Sequence, residues 1–146
     1  MATCQKLEPL KAMGFEEVEH TADKALRIFG INLKELMISA AQGMTQLMVG
    51  DLSKISIDIE KRIELQAVDA ESLLVEWLSE LAYWAETELL AFKKFRITDV
   101  TATRLEATIV GGKLVTLEKH IKAVTYHNLE IRKTPKGLEV TVVFDV

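Results

Sequence analysis

The sequence has little of several things, and each shortage excludes something. Its one cysteine, Cys4, in 146 residues cannot close an internal disulfide, and no CxxC or Cys/His spacing surrounds it. A disulfide-stapled scaffold and a cysteine-rich zinc site are thereby excluded. No apolar run approaches the roughly 18 residues of a membrane span, and the opening MATCQKLEPLKAMG lacks the apolar core of a signal peptide, so a cytoplasmic protein is expected. With two prolines and seven glycines there is no Gly- or Pro-rich linker. No Lys/Arg block is long enough to track a phosphate backbone, and 18 basic against 22 acidic side chains leave a formal charge of −4. Tight nucleic-acid binding by the chain alone is therefore not expected. The glycine-rich phosphate loops, HExxH, GxSxG and EF-hand patterns are missing as well.

What is there is an ordinary globular balance, 49% hydrophobic and 27% charged, at a length that suits one domain with a sizeable core. We expect a flexible N-terminal tail over residues 1–14 and a single domain over 15–146.

Phe15 to Glu19 and Ala25 to Phe29 read as short strands around the polar turn from His20 to Lys24. Asn32 and Glu35 stand at capping-box spacing before Leu33, Leu36, Met37, Ala40, Ala41, Met44, Leu47 and Met48, the stripe of one buried helix face ended by Gly50 and Asp51. From Lys54 to Ala67 the parity alternates with a wet face. Lys61 interrupts the apolar parity, which leaves one bent strand, a bulged strand, or two strands turning near Glu60. Asp69 suits the N-cap of a second helix with Leu74, Trp77, Leu78, Leu81, Ala85 and Leu89 on one side, and Lys93 and Lys94 suit its negative end. Phe95 to Arg104, Leu105 to Val110, Ala123 to Ile131 and Leu138 to Val146 read as strands. Gly111-Gly112 and Pro135-Lys136-Gly137 would supply turns, and residues 113–122 a loop. The sum is an α+β fold, two helices packed on a largely antiparallel sheet of six or seven strands.

Chemistry is left to polar groups where the apolar pattern stops: His20, Thr21 and Asp23, then His120, Lys122 and His127, then Asp145. Each has an ordinary reading. His20 to Asp23 can be turn chemistry, and Tyr126 and His127 can be half-buried on opposite faces of a strand. Trp77 and Trp84 read as core. Asp145 stands out, because its carboxylate adjoins the terminal carboxylate of Val146 after a strongly apolar strand. Such repulsion is relieved by a cation, and a third carboxylate such as Asp23 would complete a hard oxygen site suited to Ca²⁺ or Mg²⁺ over Zn²⁺.

HTAD (His20 to Asp23), LLVEWLSELAYW (Leu73 to Trp84), IKAVTYH (Ile121 to His127) and the ending VVFDV (Val142 to Val146) together resemble the archease family, in order and over most of the chain. The resemblance implies a small accessory protein, not itself an enzyme. It would activate the RtcB-type tRNA-splicing ligase by promoting guanylylation and multiple turnover in exon ligation. It implies a divalent cation, Ca²⁺ first with Mg²⁺ or Mn²⁺ as alternatives, on Asp23, Asp145 and a main-chain oxygen of Val146. His20, Lys122 and His127 fall in matching motifs as surroundings of that site. A chaperone-like modulator of a tRNA methyltransferase is the alternative implied by the family. A self-sufficient metal-dependent hydrolase with His20 or His127 as base is a third reading, weakened by the lack of an evident nucleophile.

Overall fold

Local sequence chemistry sets the two helices. The computed structural model describes residues 13–18 and 23–146. Helix α1 (Leu33–Val49) starts where Asn32 Oδ1 accepts the N–H of Glu35 at 2.9 Å and stops at Gly50, whose N–H returns to Gln46 O. Helix α2 (Ala70–Glu88) starts where Asp69 accepts from the N–H of Ser72 at 2.8 Å. Backbone and side-chain hydrogen bonds from Ser72 hold the Asp69 carboxyl below its ordinary range. Leu89 is the C-cap in a left-handed conformation, so it ends the helix rather than extending its apolar side. Lys93 and Lys94 lie beyond it in a strand, and the last turn of α2 holds no basic residue, which corrects the expected dipole pairing.

Among the described residues, eight strands make two antiparallel sheets rather than one. They are β1 (Gly14–Val18), β2 (Lys24–Gly30), β3 (Ile59–Gln66), β4 (Leu90–Val100), β5 (Arg104–Lys113), β6 (Ala123–Val124), β7 (Arg132–Thr134) and β8 (Gly137–Asp145). One sheet runs β1-β2-β8-β6 with β7 also on β8, and the other runs β3-β5-β4. Helix α1 packs on β1, β2 and β8 and also on β4 of the other sheet, while α2 packs on β3, β4 and β5 and reaches β6. The helices therefore join the sheets through one core. Leu26 and Ile28 of β2 and Val140, Val142 and Phe144 of β8 supply its floor on one side, and Ile97, Leu105, Ala107 and Ile109 on the other. Trp77 crosses between the helices, its Nε1–H donating to Met37 O at 2.9 Å. Its ring meets Phe95 edge-on at 6.1 Å.

Several sequence expectations change here, each for a packing reason. Gly111-Gly112 is no turn but the buried end of β5. A Cβ at Gly111 would overlap backbone, Ala91 O and Phe92 Cα, and one at Gly112 would overlap the side chains of Ser56 and Asp58, so both glycines are set by close approach of neighbouring segments. The turn between β4 and β5 instead uses residues 101–103, where Thr101 N–H bonds Arg104 O at 2.8 Å. Of the alternating stretch from Lys54, only Ile59–Gln66 forms a strand, preceded by a 3-10 turn at Leu52–Lys54 capped by Asp51. Lys61 keeps the helix-facing parity by laying its stem over Trp84, with Nζ 4.2 Å from the ring centroid. The strand expected from Ala123 to Ile131 ends at Val124. There the chain turns, with Leu129 N–H on Tyr126 O and Asn128 at φ 49. Pro135-Lys136 does join β7 to β8 as a tight hairpin, Gly137 taking φ 137. The expected tail lies outside the described residues except at Met13 and at Gly14, which opens β1.

Candidate functional site

Strand β8 is central to its sheet, and its end is where the sequence candidates gather. Lys24 pairs with Phe144, and Ala123 pairs with Asp145. One residue beyond the Lys24 pair, the same register sets Asp23 beside Asp145. Side chains alternate along strands, so Asp145 shares a face with Val143 and Asp23 with Ala25, and those two residues are themselves partners. Continued one residue past β2, that alternation would turn Asp23 to the face of Asp145, at the end of a row where Ala25 and Val143 are themselves buried. Asp145 is exposed and Asp23 half-buried. Val146 is half-buried against the core.

Lys122 is tied to this end by its backbone, its N–H donating to Asp145 O at 2.7 Å, while its side chain is exposed. Thr125 anchors the next residues, donating both N–H and Oγ1–H to Val143 O. His127 follows in the turn, exposed, its N–H on Thr125 Oγ1 at 3.3 Å and its ring beside the Asn128 amide. Tyr126 and His127 are thus not the half-buried strand residues expected; Tyr126 is 57% exposed. His20 lies outside the described residues.

The donors expected here would all be oxygen: two carboxylates and a main-chain oxygen of Val146. That chemistry suits a hard divalent cation. Among the described residues, no group of three or more His, Cys, Asp or Glu side chains is placed to hold a metal. A site here therefore depends on main-chain oxygen as well as on the aspartates. On the same face, farther along β8, an open groove of about 600 Å³ is lined by Tyr126, Asn128, Arg132, Glu139 and Thr141.

Two polar contacts near this region had no signal in the sequence pattern. His120 Nδ1 lies 3.1 Å from Glu86 of α2, so His120 fastens the loop after β5 to the helix. Glu71 Oε2 accepts the N–H of Ile131 at 2.9 Å and holds the segment before β7 on the first turn of α2. Both join residues far apart in the chain, which local periodicity does not report. Among the described residues, no helix is long and apolar enough to cross a membrane.

Comparison with known proteins follows the same outline. The model of the archease protein family matches residues 15–146. The archease of Methanosarcina barkeri is 37% identical over 140 residues, spanning 90% of this chain and 95% of the relative. That of Archaeoglobus fulgidus is 34% identical over 140 residues, 92% of this chain and 100% of the relative. The solution structure of protein 1598 of Methanobacterium thermoautotrophicum superposes with a TM-score of 0.75 at 32% identity, covering 91% of this chain and 99% of that one. A Thermotoga maritima crystal structure, described as an archease and possible chaperone, gives 0.63 at 25% identity, covering 90% and 96%. With a family match from the first strand to the last residue and relatives this similar along nearly their whole length, the chain belongs to the archease protein family.

Proposed function

We propose that this chain is a cytoplasmic accessory protein that activates an RtcB-type RNA-splicing ligase, promoting its guanylylation and repeated turnover in tRNA exon ligation. Asp23, Asp145 and a main-chain oxygen of Val146 would hold a divalent cation, Ca²⁺ in preference to Mg²⁺ or Mn²⁺. The observation supporting this most is the pairing of Lys24 with Phe144, which, continued by one residue, would bring Asp23 opposite Asp145. When bound, the cation would supply positive charge beside an active centre whose chemistry develops negative charge on phosphate. The chain's own part is positional. The Lys122 N–H to Asp145 O bond holds β6 against β8, and the packed Val146 keeps the strand end from fraying. With a formal charge of −4 the protein meets RNA through a basic ligase more readily than alone.

The test is ligase guanylylation over many turnovers, with limiting ligase and wild type, Asp23→Ala or Asp145→Ala protein. Wild type is expected to stimulate and both variants to lose stimulation and Ca²⁺ binding by calorimetry, with circular dichroism unchanged. Equal stimulation by the folded variants would refute the cation's part, and no stimulation by wild type would refute the ligase as partner. A chaperone-like role toward a tRNA methyltransferase is the second reading, favoured by the description of the Thermotoga relative as a possible chaperone. Co-purification with a methyltransferase and not the ligase would select it.

A further inference from the structure

The three-stranded sheet ends in two unlike edges. Strand β4 breaks its register twice, between Phe92 and Lys94 and between Ile97 and Asp99, and such bulges blunt an edge. Strand β3 is regular over its eight residues, contains no proline, and pairs only with β5 among the described residues. Ala67 N–H bonds Thr103 O at 3.0 Å, in register with the β3 to β5 pairing. Alternation from there turns the N–H and C=O groups of Glu60, Arg62, Glu64 and Gln66 to the open side.

We propose that β3 is a homodimer interface at which two copies of this chain pair antiparallel about Ile63. Any antiparallel pairing of this edge with its own copy must oppose even-numbered residues, because these carry the free backbone groups. Centred on Arg62, the pairing sets Arg62 on Arg62 and Glu60 on Glu64. Centred on Lys61, it sets Glu60 on Arg62 twice, but Asp58 on Glu64 twice and Lys61 on Lys61 cancel that gain, and the Asp58 N–H is already taken by Gly111 O. Centred on Glu64, it sets Glu64 on itself. Centred on Ile63, it sets Arg62 on Glu64 twice and Glu60 on Gln66 twice, with Ile63 on Ile63 along the helix-facing side. Opposite charges directly across a strand pair attract and like charges repel, so one register is selected.

Two observations within the single chain point the same way. Glu64 stands directly across from Glu106 of β5, whose charge is met by Arg104, while neither Glu64 nor Arg62 has an ion-pair partner among the described residues. The partner's Arg62 would meet that need. Ile57 and Val68, 54% and 85% exposed, flank β3 at its two ends. Antiparallel pairing about Ile63 sets Ile57 of one copy opposite Asp69 of the other and Val68 opposite Asp58, so the second copy lies against both exposed apolar side chains at each end of the seam. The charges of β3 therefore do not guard the edge as charges of one sign would; they are complementary to themselves. This inference stands apart from the proposed function.

Sedimentation equilibrium of the full chain tests it, with Arg62→Glu, Glu64→Arg and the double charge swap. Wild type is expected to be a concentration-dependent dimer. Each single reversal turns two symmetry-related attractions into repulsions and is expected to weaken the dimer about tenfold or more. The double swap restores the complementary pattern and the association. Glu64→Arg faces Glu106 within its own sheet, so it keeps the fold and any loss is one of association. In the dimer, hydrogen exchange at residues 60, 62, 64 and 66 slows with rising protein concentration. A wild-type monomer up to millimolar concentration, or single reversals that dimerise as wild type does, would overturn the proposal.

Discussion

Trp77 joins the two helices by a buried hydrogen bond and by bulk, and the two contributions separate by substitution. The side chain is fully buried, donates to Met37 O at 2.9 Å and meets Phe95 edge-on at 6.1 Å. Trp77→Ala removes the ring from a core that cannot collapse around it, a loss of about 3–5 kcal/mol. Deleting the indole donor adds about 1 kcal/mol. Trp77→Phe keeps most of the volume and an edge for Phe95, and Met37 O retains its place in the α1 ladder, so its cost is about 1–2 kcal/mol. Urea unfolding reads both. With a slope of about 2 kcal/mol per molar, the Phe variant shifts the midpoint by about 0.5–1 M and the Ala variant by about 2–3 M. Against a total of about 5–15 kcal/mol, the Ala variant approaches the limit of folding at room temperature. An Ala variant with the wild-type midpoint, or a Phe variant as unstable as Ala, would refute the reasoning. The second result would mean that the hydrogen bond dominates and the packing does little.

Two further expectations concern the backbone and the caps. Gly111→Ala forces a Cβ into Ala91 O and Phe92 Cα, so thermal melting should show a loss of about 2 kcal/mol or more, whereas a tight-turn reading predicts a smaller one. The Asp69 carboxyl is held low by Ser72, so its stabilisation is present above the unfolded value of about 4 and is lost as pH falls through the lower folded value. Asp69→Asn keeps a capping oxygen without the titration. Its melting temperature should match wild type near neutrality more closely than that of Asp69→Ala, and the gap between wild type and Asp69→Ala should narrow below about pH 4.

What was legible in the sequence was whatever a few neighbouring residues decide. Asn32 with Glu35 and Asp69 with Ser72 are caps written within one helical turn, and both form as spaced. The stripe from Leu36 to Met48 is buried because a 3.6 period faces one side. Partition into two sheets was not legible, since antiparallel strands of either sheet share the same alternation. Gly111 and Gly112 misread as a turn because a glycine needed for close approach and one needed for a bend look alike in sequence. Lys93 and Lys94 misread because Leu89 ends the helix by a left-handed cap that no residue preference announces. The pairing of β2 with β8 joins opposite ends of the chain, and no local pattern carries it.

The same alternation explains why chemistry and stability can be separated at the end of β8. Phe144 is fully buried and faces α1 with Val142, whereas Asp145, the next residue, is exposed on the opposite face. A change at Asp145 leaves the core untouched, while one at Phe144 opens a cavity beneath the same strand end. Because β8 lies between β2 and β6, both neighbours hold that end in place, and the exposed carboxylate inherits its position from apolar residues it does not touch. Geometry at Asp23 and Asp145 thus depends on Leu26, Val142 and Phe144 more than on the polar residues around them. Under the proposed function, loss of ligase stimulation from a core substitution there would report misplacement of the aspartates, whereas Asp23→Ala and Asp145→Ala test the carboxylates themselves.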